Sequence, residues 1–313
     1  MAPKGLGFWV AFERSITPRD KREDLRTAIE WCKATGATWV ALRAGAGGAN
    51  DADLSNQSIQ AFLDAGIDPY VWIFAYQRTA QAEVAGYAKW FAQGAKGAII
   101  NAEFEYATAT RDDALKLVES IRVAWDIHGS GGPSWVAHAP PDYLGAGIGH
   151  PLRDQLVALD EACDLIMPQV YAWEHDDKGH AFHLDRVVSG YVRRGFGDKL
   201  APIGCTYRPK KRGKYSVPYM EDEPQRVAQD VLAYLDHASV IACPCPSLYS
   251  LDAIGWINGA SDMVISTLAA RFQACKADTL PPAPLPSGSG PATPLRAGEG
   301  EHTPIHLRES NAQ

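Results

Sequence analysis

Three polar residues lie at the end of one predicted β-strand, Gly97–Glu103. Asn101, Glu103 and Glu105 alternate with apolar neighbours, so all three share one face of that strand. Burying such groups is costly unless they are paired or hydrogen-bonded. Two carboxylates beside a carboxamide could protonate a leaving group, activate a water or hold a substrate. We therefore predict that the functional site lies around Glu103. The structural alternative is that Glu103 pairs with Arg43, at the end of the second predicted strand.

A later predicted strand, Asp164–Tyr171, also ends in polar residues. Gln169 and Tyr171 share its inward face with Met167, and an inward Gln and Tyr suit the binding of a sugar amide or of a water. Asp252 ends the last predicted strand, where it is either a second carboxylate or the N-cap of the next helix. Aromatic residues near strand ends suit sugar rings, although core packing is their commoner role; the candidates are Trp72, Trp173, Tyr207, Tyr249 and Trp256.

These two strands carry a resemblance to a known clan of enzymes. Gly97–Glu103 resembles the fourth-strand signature DGxDxDxE of family 18 chitinases, and Met-Pro-Gln-Val-Tyr resembles the MxYD element of their sixth strand. The resemblance implies that Glu103 is the general acid and that Gln169 and Tyr171 position the substrate amide. Asn101 stands where the chitinases have Asp, and Ile99 replaces another acid. An Asn-x-Glu pair is similar to endo-β-N-acetylglucosaminidases, in which an amide orients the N-acetyl group of the substrate as the nucleophile. The chain also resembles uncharacterised phage-borne barrel proteins.

The resemblance implies a glycoside hydrolase that cleaves an N-acetylhexosamine-containing polysaccharide, with peptidoglycan as one candidate, and that needs no cofactor or metal. In a two-carboxylate alternative, Glu105 or Asp252 is the base or nucleophile, and the stereochemical outcome stays open. The other class of function is a non-catalytic barrel, either a glycan-binding module or a virion structural protein. Asn101 in place of Asp favours this second class, whereas the retained Glu103 favours the enzyme.

Three other segments give weaker signals. The glycine-rich run 45–50 fails the dinucleotide-binding pattern at its last position. His175, His180 and His183 match no zinc signature, so we predict no metal site. The basic run Arg208–Lys214 is typical of a solvated loop, and its alternative role is to bind an anionic polymer beside the same cleft.

An alternation of strand and helix patterns must position these residues. The predicted strands are Gly7–Phe12, Thr38–Ala44, Pro69–Tyr76, Gly97–Glu103, Ser134–Ala139, Asp164–Tyr171, Ala201–Tyr207 and Ser247–Asp252. Apolar strands that are each followed by a helix indicate a parallel sheet covered by helices. Eight units favour a single (β/α)₈ TIM barrel over an open doubly wound sheet, and the candidate residues fall at the C-terminal strand ends where barrel active sites lie.

The composition agrees with one large globular unit. The chain has 313 residues, of which 46% are hydrophobic, and its net charge of −7 argues against a nucleic-acid partner. No apolar run is long enough to span a bilayer, and the first residues do not form a secretory signal. We therefore expect synthesis in a cytoplasm, from which a phage-encoded protein could leave by lysis or on a virion. The Pro-, Gly- and Ser-rich residues 278–313 predict a disordered tail after a barrel of residues 1–277.

Overall fold

A computed structural model describes residues 3–10, 21–50, 54–103, 106, 108–131, 134–141, 154–171, 180–206, 208–212, 215–219, 224–240, 243–249 and 260–278. Its strands are β1 (Gly7–Val10), β2 (Trp39–Ala46), β3 (Ala49–Asn50), β4 (Asp68–Phe74), β5 (Ala98–Asn101), β6 (Val136–His138), β7 (Leu165–Ile166), β8 (Ile203–Cys205), β9 (Arg208–Arg212), β10 (Tyr215–Tyr219) and β11 (Ser247–Tyr249). Its α-helices are α1 (Lys21–Thr35), α2 (Asn56–Asp64), α3 (Ala80–Phe91), α4 (Arg111–His128), α5 (Asp154–Ala162), α6 (His180–Arg193), α7 (Pro224–Val240) and α8 (Ala260–Asp278).

Eight parallel strands form the barrel wall. Their order is β7-β6-β5-β4-β2-β1-β11-β8, so each strand lies beside its neighbours in chain order and β11 returns to β1. The remaining gap is bridged between the β7 and β8 segments. There the amide of Val170 donates to the carbonyl of Ile203 at 2.8 Å, and the amide of Ala201 donates to the carbonyl of Ile166 at 2.8 Å. The predicted (β/α)₈ barrel is confirmed, and this closure excludes the open doubly wound sheet.

The buried side chains separate into two layers because successive residues of a strand point to opposite faces. One layer lies between the sheet and the helices, and Phe8, Leu42 and Ile100 contribute to it. The other layer fills the barrel lumen, where Trp9 and Ile99 pack with the other inward residues of the wall, Trp39, Ala41, Tyr70, Trp72, Trp135, Ala137, Ala139, Leu165, Met167, Ala201, Ile203 and Cys245. The lumen is therefore a packed apolar core with its free end at the C-terminal edge of the strands.

The helices that follow the site strands begin at well-formed caps. The Ser55 side chain accepts from the amide of Ser58 at the start of α2. At α4, Thr110 and Asp113 form a reciprocal capping box, which fixes where the chain turns after β5. The predicted inward face of α4 is also confirmed, since Ala114, Leu117, Val118, Ile121 and Trp125 are buried.

Two segments predicted as loops contain strands. The glycine-rich run 45–50 is a tight hairpin, in which β3 pairs with the end of β2 through a turn at Gly47 and Gly48. Both glycines have positive φ, 57° and 83°, which explains their presence without any phosphate ligand. The basic run after β8 contains β9, which pairs antiparallel with β10.

Candidate active site

The side-chain amide of Gln169 connects the polar residues at the C-terminal end of the barrel. Its Nε2 donates to Oδ1 of Asn101 at 3.0 Å and to Oε1 of Glu103 at 3.1 Å. A third acceptor, the carbonyl of Ala139, lies 3.4 Å away. The three side chains therefore form one cluster across β5 and the end of β7, as their predicted inward positions require.

The backbone explains why these residues meet. Asn101 ends β5 and shares the inward face of Ile99, and Glu103 follows two residues later. Gln169 is held by its own backbone, whose amide donates to the carbonyl of Pro140 at 3.0 Å. Asn101 is buried, with 7% of its surface exposed, whereas Glu103 and Gln169 are half-buried. The cluster thus lies at the boundary between the packed lumen and the open end of the barrel.

Aromatic rings form the rest of the lumen at this level, and we call Trp9, Trp72, Tyr171 and Tyr249 the aromatic wall. Trp9 and Trp72 are 5.6 Å apart between ring centroids, and Tyr171 and Tyr249 are 5.8 Å apart. Trp9 joins the two pairs, since its ring lies 6.5 Å from that of Tyr249. Its indole Nε1 donates to Oγ of Ser247 at 3.1 Å. Trp9 was absent from the predicted site, although its alternation with Phe8 and Val10 places it inward.

Trp72 carries a buried donor. Its Nε1 atom has no hydrogen-bond partner among the residues that the structure describes. The Arg43 guanidinium carbon lies 5.6 Å from the centroid of the same ring. Leaving a buried N–H without an acceptor costs about 1–3 kcal/mol, so this indole is suited to receive an acceptor from a ligand.

The structure thus places the predicted Asn101, Glu103, Gln169, Tyr171, Trp72, Tyr249 and Arg43 on the inward face of the barrel strands or directly after them. Five other predicted site residues lie outside the described residues: Glu105, Asp252, Trp173, Tyr207 and Trp256. At the C-terminal end of the barrel, Glu103 is the one inward carboxylate among the residues that the structure describes.

A second buried carboxyl group, which the sequence analysis did not predict, supports the loop between β4 and α3. Glu83 is 1% exposed, and its Oε1 accepts from the amide of Tyr76 and from the hydroxyl of Thr79, both at 2.6 Å. Burial raises the pKa of Glu83, and the two hydrogen bonds oppose that shift. Its position in a helix gave no sign of burial, because the turn that folds the Tyr76 amide onto it is a tertiary feature.

A buried pair of a histidine and an aspartate lies on the outer face of the sheet, away from the lumen. Nδ1 of His138 is 2.8 Å from Oδ1 of Asp160, and both side chains are fully buried. Because His138 precedes the inward Ala139, alternation directs it towards α5 and not into the site. The pair fastens α5 to β6, and the sequence gave no signal for it.

No group of three metal-ligating side chains occurs within the part of the chain that is described. Of the three histidines considered as metal ligands, His175 lies outside that part, and His180 and His183 belong to α6. None of the described helices is long and apolar enough to cross a membrane.

Comparisons with known proteins support the fold. No protein-family model matches the sequence, and neither does any curated protein. Among solved structures, the PgaB (BpsB) glycoside hydrolase domain from Bordetella bronchiseptica is similar over 84% of this chain and 99% of its own, with a TM-score of 0.59 at 12% identity. A β-1,3-glucanosyltransferase from Rhizomucor miehei is similar over 78% of this chain and 86% of its own, with a TM-score of 0.54 at 14% identity.

A family 18 chitinase from Pseudoalteromonas aurantia also matches, over 86% of this chain and 99% of its own, with a TM-score of 0.49 at 11% identity. The predicted resemblance to glycoside hydrolase barrels is confirmed at the level of the fold: this chain has the TIM-barrel architecture of such enzymes.

Proposed function

We propose that this protein is a glycoside hydrolase that cleaves an N-acetylhexosamine-containing polysaccharide, with Glu103 as the general acid. The hydrogen bond from Gln169 to Glu103 at the C-terminal end of the barrel carries this proposal. The glycoside hydrolase domain from Bordetella bronchiseptica shares the fold, which is consistent with this proposal. A shared TIM barrel alone does not define an activity.

The geometry suits proton donation. Since Gln169 donates to Oε1 of Glu103, the acidic proton of the carboxyl belongs on Oε2. The fixed amide thereby sets the orientation of the carboxyl before the substrate binds. Once the proton has moved to the glycosidic oxygen, the same N–H becomes a charge-assisted hydrogen bond to the carboxylate that remains.

The amide-rich surroundings favour participation by the substrate. Oδ1 of Asn101 already accepts from Gln169, which leaves its Nδ2 to donate to the carbonyl oxygen of an acetamido group. Oε1 of Gln169 and the hydroxyl of Tyr171 are further groups that could orient that acetamido group. Such a mechanism needs one protein carboxylic acid at the bond that breaks, and Glu103 is the one inward carboxylate described at the C-terminal end of the barrel.

The aromatic wall is consistent with a sugar ligand. Indole and phenol faces pack against the apolar faces of pyranose rings. The indole N–H of Trp72, which has no partner among the described residues, can donate to a ring substituent. Peptidoglycan, chitin oligomers and N-glycans all present the required acetamido sugar.

The test is the release of reducing ends from these three substrates by the wild type, Glu103→Gln and Glu119→Gln. Glu119 is an exposed residue of α4, so its substitution makes the same chemical change away from the site. We expect activity in the wild type and in Glu119→Gln, and its loss in Glu103→Gln. Equal activity in all three proteins would place the chemistry elsewhere. A silent wild type that still binds one of the glycans would favour the non-catalytic glycan-binding barrel.

A further inference from the structure

Arg43 is a positively charged residue at the open end of the barrel lumen. It shares the inward face of β2 with Trp39 and Ala41, which are fully buried, whereas Arg43 itself is half-buried. Exposure therefore increases along this face towards the C-terminal end of the strand. Arg43 thus lies where the packed lumen opens, at the same end of the barrel as Glu103.

The pairing of β2 is irregular directly after Arg43. Arg43 pairs with Trp72 of β4, but the next pair joins Gly45 to Ile73, so Ala44 is an extra residue in β2. Such bulges are common at the rims of barrels and beside active sites, where they change the direction of a side chain. The irregularity is therefore consistent with a functional role for this strand end.

Trp72 supplies a second hydrogen-bond donor close to Arg43. The Arg43 guanidinium carbon lies 5.6 Å from the centroid of the Trp72 ring. Trp72 is 5% exposed, and its Nε1 has no hydrogen-bond partner among the described residues. Because a buried N–H without an acceptor is unfavourable, this atom favours a ligand that brings an acceptor to it. An anion with two oxygen atoms can accept from both residues.

A carboxylate suits this pair of donors better than a neutral hydroxyl does. Hydrogen bonds between a guanidinium and a carboxylate are charge-assisted, and the planar fork of arginine matches the two carboxylate oxygens. Arg43 can keep its contacts within the protein in this role, because a guanidinium has five N–H donors. One edge of the fork can therefore bind a protein acceptor while another binds the anion.

The separation of Arg43 from Asn101 suits one sugar residue. Only β4 lies between β2 and β5, and neighbouring strands are about 4.8 Å apart, so about 10 Å separates the two strands across the sheet. Phe74, the next inward residue of β4 after Trp72, pairs with Asn101. A hexose whose acetamido group contacts Asn101 can therefore direct another substituent towards Arg43.

We propose that the glycan substrate carries a carboxylate, which binds to Arg43 and to the indole N–H of Trp72. This inference rests on the proposed function for the acetamido sugar, and it narrows the substrate to acidic glycans. Two kinds of sugar present the required group. One is an acetamido sugar with a lactyl ether, as in N-acetylmuramic acid, and the other is a uronic acid next to the acetamido sugar. Chitin oligomers, which have no carboxylate, are then the poorer ligands.

The test compares each acidic glycan with its own methyl ester, which has nearly the same shape but no charge. One pair is the disaccharide of N-acetylglucosamine and N-acetylmuramic acid, and the other is a hyaluronan tetrasaccharide, in which the carboxylate belongs to glucuronate. Binding is measured by calorimetry with full-length Glu103→Gln, which removes turnover, and with the same chain carrying Arg43→Gln, Arg43→Lys or Arg26→Gln. The Arg26 side chain on α1 is 70% exposed, so Arg26→Gln makes the same change of charge on the outside of the barrel.

We expect the parent chain to bind one of the two acids about tenfold or more tightly than its ester. Arg43→Gln should reduce this preference to less than about twofold without weakening the binding of the ester by more than about threefold. Arg43→Lys should keep part of the preference, because lysine has the charge but not the planar fork. Arg26→Gln should keep all of it. The pair of glycans that shows the preference identifies which sugar carries the carboxylate.

Two results would overturn the proposal. The first is that the parent chain prefers neither acid to its ester. The second is that Arg43→Gln weakens the binding of acid and ester equally, which would show that Arg43 supports the fold or Glu103 and does not recognise the charge. Binding of the ester by Arg43→Gln also shows that this variant is folded.

This proposal and the proposed hydrolysis fail separately. An Arg43-dependent preference for an acid, in a protein whose wild type cleaves no glycan, would support the carboxylate site and contradict the catalytic assignment. Cleavage of an acid and its ester at equal rates, by the wild type and by Arg43→Gln alike, would support the hydrolase and contradict the carboxylate site.

Discussion

Nε2 of Gln169 lies 3.1 Å from Oε1 of Glu103, although β6 separates the strand segments that carry the two residues. The contact is possible because the closed wall turns the inward residues of both segments towards one lumen. The same nitrogen also donates to Oδ1 of Asn101 at 3.0 Å. One amide therefore orients the side chain of the proposed acid and that of Asn101, which we propose to bind the acetamido group. Gln169 is therefore a positioning residue for the proposed acid, and its removal has a measurable signature.

Gln169→Ala is expected to lower kcat about 10- to 100-fold and to move the alkaline limb of the pH profile upward. An N–H donor favours the ionised carboxylate, so its loss raises the apparent pKa of the limb that reports loss of the acidic proton. Gln169→Glu should move the limb further, because a second negative charge would face Glu103. Initial rates measured between pH 4 and 9 check both variants. A lower rate with an unmoved limb would indicate that Gln169 only supports the structure.

The backbone periodicity of the strands was sufficient to predict part of this site. Asn101, Glu103 and Gln169 share strand faces with Ile99 and Met167, and side-chain alternation follows from local geometry. The number of strand and helix units favoured a closed barrel, but the hydrogen bonds that close it could not be predicted, because a bond such as that between Val170 and Ile203 depends on which distant strands meet. The bond from Gln169 to Glu103 likewise depends on the curvature of the whole wall.

Glu83 predicts a pH-dependent stability. Burial raises its pKa above the ordinary value of 4.5 in the folded chain, so the unfolded chain ionises first as the pH rises. The stabilisation of the wild type relative to Glu83→Gln is then fully present below pH 4.5 and declines as the pH rises through the folded pKa. Urea unfolding of both proteins at pH 4, 5, 6 and 7 measures this difference. A difference that grows in favour of the wild type with rising pH would contradict the expected sign.

Two glycines with nearly the same φ allow the cost of backbone strain to be measured separately from the cost of a steric clash. Gly36 has a φ of 70° and Gly66 a φ of 74°, so an alanine at either site costs about 1 kcal/mol through its backbone. A Cβ on Gly36 would also lie 2.1 Å from the Phe272 ring of α8, whereas nothing lies within 4 Å at Gly66.

We therefore expect Gly36→Ala to lower the free energy of unfolding by about 2–4 kcal/mol and Gly66→Ala by about 1 kcal/mol. Denaturant unfolding with a common m-value checks both. Equal losses would show that α8 does not pack on the end of α1 as the structure has it.

The role of Glu103 as a proton donor is tested most directly by varying the leaving group. The measurement compares the wild type with Glu103→Gln on two N-acetylhexosaminides, one with a 2,4-dinitrophenyl group, which leaves without a proton, and one with an alkyl group, which needs one. We predict that Glu103→Gln loses about 10²- to 10⁴-fold in kcat/KM on the alkyl glycoside and less than about tenfold on the dinitrophenyl glycoside. Equal losses on the two substrates would contradict the assignment of Glu103 as the general acid.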